Sequence, residues 1–148
     1  MILYVNIDAY YPSITKAQSR AWGVHFLSYA KPEPKDYKKF VPLMNGIVHM
    51  VCKILRNVMA SSAEAELVSL FVNAQDAAPI RTTSIEMNHP QPPTPIKVDN
   101  STVVGIANEF IKQKMSKAMA MWFYWIWCII KQDQFIVYWK PGKYNLGD

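Results

Sequence analysis

Apolar and polar positions follow one another in distinct periods along this 148-residue chain. Residues 2–9 form a short apolar run rich in Ile, Val and Tyr, the composition of a strand buried on at least one face. Residues 20–29 repeat that character. A polar, proline-bearing stretch over 31–42 follows, and Asn45-Gly46 then introduces a third extended segment over 47–55. Together these predict an antiparallel meander. The period changes after Ser61. Ser61-Ser62-Ala63-Glu64 has the spacing of a capping box, and Leu67, Leu70, Phe71 and Ala74 recur at helical intervals, so a helix of three or more turns is expected. Four prolines between His89 and Pro95 remove amide donors and favour extended geometry, which makes this segment a linker within the domain. A brief strand over 96–98 ends at Asp99-Asn100, and Ser101 can cap a helix over 102–110. A further helix spans 116–131, residues 135–139 form the last strand, and Pro141-Gly142 make a turn. The order is three strands, helix, strand, helices, strand. With no internal repeat and no compositional break, it predicts one mixed α/β domain over 1–148.

Composition narrows the chemistry. At 51% hydrophobic and 18% charged residues the chain has the makings of a packed core, not of a disordered or fibrous protein. Two cysteines, Cys52 and Cys128, and three histidines argue against a disulfide scaffold, a zinc cage or a thiol enzyme. Metal chemistry must therefore use carboxylates. The apolar run 118–130 is short of the roughly 20 residues of a membrane-spanning helix, so no membrane is expected. The amino terminus has no basic n-region and reaches Asp8 early, which does not read as a secretory signal and suggests an intracellular protein or a piece cut from a larger one. The net charge is +5. Between 111 and 146 the basic residues are Lys112, Lys114, Lys117, Lys131, Lys140 and Lys143, with Asp133 the only acid, a pattern that attracts polyanions.

Four carboxylates stand at comparable places: Asp8 near the end of the first strand, Glu66 near the start of a helix, Asp99 at the end of a later strand, and Asp148 after the last. Ends of strands beside starts of helices are where open α/β sheets gather their sites. Converging carboxylates raise one another's pKa and are usually tolerated where divalent cations bind, magnesium being the natural candidate. Two such ions can hold the attacking water and the leaving oxygen of a phosphodiester, with no histidine or cysteine nucleophile.

The motifs around these acids are IDAYYPS, NVMASSAEAELVSLF, PIKVDNSTVVGIAN, and FYWI followed by QFIVYWKPGKYNLGD. Together they resemble the ribonuclease H domain at the end of copia-type retrotransposon polyproteins, over nearly the whole chain and with the family's order of acids, Asp, Glu, Asp, Asp. The resemblance implies an RNase H-like five-stranded mixed sheet flanked by helices, and hydrolysis of the RNA strand of RNA/DNA hybrids. It implies Asp8 and Asp99 as strand carboxylates that bind or bridge two Mg2+ ions, replaceable by Mn2+, with Glu66 as the helix carboxylate and Asp148 as the fourth ligand. Glu64 falls outside the set, because it fits the reciprocal capping contact while Glu66 occupies the family's Glu-Leu position. An upstream reverse transcriptase, and a place in the cytoplasm or in retrotransposon particles, follow from the same resemblance.

Asn100 and Ser101, beside Asp99, can hydrogen-bond phosphate or ribose hydroxyls, although helix capping explains Ser101 equally well. Lys112, Lys114, Lys117, Lys140 and Lys143 are candidate contacts to the backbone of a hybrid duplex, whose wide minor groove displays the 2′-hydroxyls. Trp122, Trp125, Trp127 and Trp139 could stack on bases but read first as core, and His25, His49 and His89 as structural or exposed. The chain departs from the family in two ways. It ends at Asp148 where the family continues into a helix, so a domain without that C-terminal helix is expected. The Trp-rich helix 118–130 has no polar stripe, which suggests contact with a neighbouring domain. Gln134 stands where an integrase-type member would need its glutamate. The alternative on the same fold is a catalytically inactive, truncated remnant that binds nucleic acid or is only structural.

Overall fold

A computed structural model describes residues 1–11, 18–29, 45–56, 59, 61–109 and 117–141. Strands β1 (Ile2–Tyr10), β2 (Arg20–Ser28) and β3 (Ile47–Ile54) form the expected meander, with Asp8 opposite Trp22 and Trp22 opposite Cys52. Helix α1 (Ser62–Glu86) follows, then β4 (Thr94–Val98), α2 (Ser101–Glu109), α3 (Lys117–Lys131) and β5 (Phe135–Trp139). The sheet order is β3-β2-β1-β4-β5. β1 pairs in parallel with β4, and β4 in parallel with β5, so β1 is the seam between an antiparallel and a parallel half.

One expected helix reaches well past its lower bound of three turns, and two expected boundaries move, each for a local reason. α1 is far longer than three turns, with 25 residues or about 37 Å of helix. Pro79 lies inside it at an exposed position, where water can take the carbonyl that proline cannot bond. The helix ends where Asn88 adopts a positive φ of 63° and its amide bonds the Ile85 carbonyl at 3.0 Å. β4 begins at Thr94 and takes in Pro95, which the sequence assigns to the linker. The Thr94 amide bonds across to Gln134 at 2.9 Å, so the position of Pro95 points its missing donor toward β1, where pairing starts only at Ile96. The cap of α2 is Asn100, not Ser101. The Asn100 Oδ1 accepts the Thr102 amide at 3.0 Å and its carbonyl accepts the Val104 amide at 3.3 Å.

One main core joins the sheet to all three helices: Leu3, Val5 and Ile7 from β1, Ile96 and Val98 from β4, Leu67, Leu70 and Ala74 from α1, Val103 from α2 and Ile126 from α3. Alternation along β1 sends Tyr4 to the other face, where it stacks on Phe26 at 5.8 Å in a smaller cluster with Val24. On the edge strand β3, Val48, Met50 and Ile54 are exposed. α3 buries Phe123, Ile126 and Ile129 and half-buries Trp122 and Trp125 against Phe71 of α1, while Met121, Tyr124 and Cys128 form an exposed stripe. No helix among the described residues is long and apolar enough to cross a membrane.

Candidate functional site

Because β1 and β4 run parallel and adjacent, their C-terminal ends reach the same margin of the sheet, and the polypeptide supplies an aspartate at each: Asp8 and Asp99. Ser61 places the start of α1 there as well. Its backbone is extended (φ −154°, ψ 163°), and its Oγ accepts the Glu64 amide at 3.2 Å, so the helix begins at once and presents Glu66 a turn later. Carboxylate oxygens of Asp8, Glu66 and Asp99 lie within 4.8 Å of one another. Among the described residues this is the sole grouping of three such side chains that could hold a metal ion.

The three acids differ in setting. Asp8 and Asp99 are half-buried, whereas Glu66 is buried, at 5% exposure. The Ala9 amide donates both to Asp8 Oδ1 at 2.8 Å and to Glu66 Oε1 at 3.1 Å, tying the strand acid to the helix acid. Glu66 Oε2 has no hydrogen-bond partner. Burial, then the charges of Asp99 and Asp8, push the Glu66 carboxyl up to about 9, against the lowering effect of the Ala9 amide. Oxygen donors alone, with one of them buried and unpaired, are the set that hard divalent cations take.

Of the other residues singled out in the sequence, Asn100 spends its Oδ1 on capping α2, and Ser101 is exposed on its first turn. Lys140 is corrected: it is buried at 6% exposure, with its amide on the Val98 carbonyl at the end of β4 at 3.0 Å. It is not on an open surface for a duplex backbone. Lys117 opens α3, but its side chain lies outside the described residues, as do Lys112, Lys114, Lys143 and Asp148. Trp139, which the sequence reads first as core, is exposed, and the part the sequence missed is that its indole Nε1 donates to the Asp99 carbonyl at 2.9 Å and so fixes the residue that carries the acid. The only signal for it was its place at the end of the strand beside β4.

No family model matches the sequence, and no curated protein matches it significantly. Solved structures do. The compost-derived LC11-RNase H1 in complex with RNA/DNA hybrid superposes with a TM-score of 0.65 at 12% identity, covering 98% of this chain and 89% of that one. The fold is that of ribonuclease H. An N-terminal RNase H domain from Mycobacterium tuberculosis gives 0.62 at 12% identity, covering 97% and 85% of the two chains. The foamy viral protease-reverse transcriptase in complex with RNA/DNA hybrid gives 0.55 at 16% identity, covering 95% of this chain and 17% of that much longer one. The RNase H-like sheet, with its three antiparallel strands and two parallel additions, is the architecture expected from the sequence.

Proposed function

We propose that the chain is the ribonuclease H domain of a copia-type retrotransposon polyprotein, cutting the RNA strand of RNA/DNA hybrids with divalent metal. The observation that carries this reading is the meeting of Asp8, Glu66 and Asp99 at the ends of β1 and β4 on a ribonuclease H sheet, with Glu66 Oε2 unpaired. Those three acids, with Asp148 as the fourth, would hold two Mg2+ ions, for which Mn2+ substitutes. Bound there, the ions supply positive charge to the phosphoryl oxygens and lower the pKa of the attacking water. The protein's own part is placement. Glu66 Oε1 stays on the Ala9 amide, which leaves Oε2 to face a ligand. Trp139 anchors the backbone under Asp99. The Asn100 Nδ2 and the exposed Ser101 hydroxyl can contact phosphate or ribose oxygens beside the acids, and Lys112, Lys114, Lys117 and Lys143 can hold the duplex backbone.

The same reading places a reverse transcriptase upstream in the polyprotein, and the domain in the cytoplasm or in retrotransposon particles. Cleavage of a labelled RNA/DNA hybrid in Mg2+ or Mn2+ tests it, with Asp99→Asn as control. Loss of the RNA strand is expected from the native chain. The variant should lose more than about 100-fold, since removing even an outer-shell partner costs 10- to 100-fold. Hybrid binding without cleavage by the native chain overturns the catalytic reading in favour of an inactive remnant.

A further inference from the structure

Two polar side chains are wholly buried in α1 on the face that meets the sheet: Ser69 and Asn73, both 0% exposed. They stand three and seven residues after Glu66, on the same helical face. The Ser69 hydroxyl donates to the Asp8 carbonyl at 2.7 Å, with a longer approach of 3.3 Å to the Trp22 carbonyl. The Asn73 Nδ2 donates to the Trp22 carbonyl at 3.2 Å and the Ser69 carbonyl at 2.9 Å, and approaches Ser69 Oγ at 3.4 Å. Carbonyls only accept, so the amide nitrogen must face them and Oδ1 must face His25, whose Nε2 lies 3.0 Å away. His25 Nε2 therefore carries its proton. Every donor then points the same way: His25 to Asn73, Asn73 to Ser69 and Trp22, and Ser69 to Asp8.

Asp8 and Trp22 are register partners across β1 and β2, so this chain of donors grips both members of the strand pair that bears the first acid. Its anchor is the helix that bears Glu66. Gly23 is what admits it. A Cβ at that position would lie 1.7 Å from Asn73 Oδ1.

We propose that Ser69 and Asn73 are positioning residues for the acid cluster: they set the distance between Asp8 and Glu66 by holding the Asp8 carbonyl to α1, and so tune metal affinity and turnover. This rests on the metal-dependent nuclease reading given above. A buried serine and asparagine that served only to satisfy their own polar atoms would, on loss, lower Tm alone, whereas here the last donor of the chain ends on the backbone of Asp8.

The test uses the full chain, with Mn2+ binding followed by electron paramagnetic resonance, hybrid cleavage, and melting temperature. Ser69→Ala removes the contact to Asp8. Gly23→Ala leaves the Ser69 contact to Asp8 in place but forces the end of the flexible Asn73 side chain, with its Nδ2, aside. Ser69→Ala is expected to weaken Mn2+ binding about 10-fold and to lower kcat 10- to 100-fold with the KM for hybrid unchanged, the range for partners that orient ligands. Gly23→Ala should move the same readouts in the same direction by less. Ala77→Gly, in the core of α1 about three turns past Glu66, supplies a control that lowers Tm without moving the Mn2+ midpoint. A folded Ser69→Ala or Gly23→Ala with Mn2+ affinity and kcat within twofold of the native chain overturns the proposal. A native chain that neither binds Mn2+ nor cleaves hybrid overturns the nuclease reading instead.

Discussion

Glu66 is the residue on which the site's electrostatics turn. Its carboxyl rises from 4.5 to about 9, so in metal-free protein the folded state holds a proton that the unfolded state releases above 4.5. The sign is fixed by that difference. The stabilisation is complete below 4.5 and is lost progressively as pH rises toward 9. In chelator, Tm should fall across that window with a slope of up to about 1.4 kcal/mol, or roughly 3–6 °C, per pH unit, and Glu66→Gln should flatten it. A slope unchanged in the variant would show that another group titrates there. His25 has the opposite sign: burial lowers it from 6.5, so its contribution is present above that value and fades as pH falls below it. Which glutamate belonged to the site was legible in the sequence, because the Glu64 spacing identified a cap and left Glu66 to the cluster. Lys140 was not legible. Its burial goes with the bond of its amide to Val98 on the neighbouring strand, a tertiary fact with no local pattern. Asn100 and Ser101 are both good caps side by side, and spacing cannot choose between them.

Among the elements, the strands and the beginnings of the helices were the most readable, since alternation, capping residues and prolines act locally. The length of α1 was not, because its later turns are held by the packing of Ala77 and by Arg81, whose guanidinium reaches the Pro92 and Gln91 carbonyls across to the start of β4. The Trp-rich helix is a related case. Its sequence shows no polar stripe, yet the structure gives it an inner and an outer side. Phe71 of α1 decides which is inner, stacking on Trp122 with ring centroids 5.4 Å apart and meeting Trp125 edge-on at 5.3 Å. Phe71→Ala should destabilise by about 2–4 kcal/mol, from lost burial and two aromatic contacts. Denaturant unfolding measures that loss. A change under about 0.5 kcal/mol would mean that α3 is held chiefly by its own contacts to α2 and β5.

At the scale of the molecule, the candidate site is a product of topology. Asp8 and Asp99 are separated by most of the described chain and become neighbours only because β4 crosses back to lie parallel to β1. An ion bound there is therefore bound by the native state and not by the unfolded one. Mn2+ at 100 times its dissociation constant should stabilise the native chain by about 2.7 kcal/mol, or roughly 5–11 °C in Tm, and should leave Asp99→Asn almost unmoved. Equal shifts in both proteins would place the ion elsewhere. The five-stranded order and the neighbourhood of three acids were readable because strand ends and helix starts announce themselves locally and the family's order of motifs supplied the crossover.

Gly23 carries a consequence for descent as well as for architecture. A single hydrogen atom there keeps open the space that Asn73 fills, so a change at either of two positions, on different elements and far apart in sequence, is felt at the other. A lineage that gains a side chain at 23 must push the end of the Asn73 side chain aside, and with it loosens the grip on the first acid.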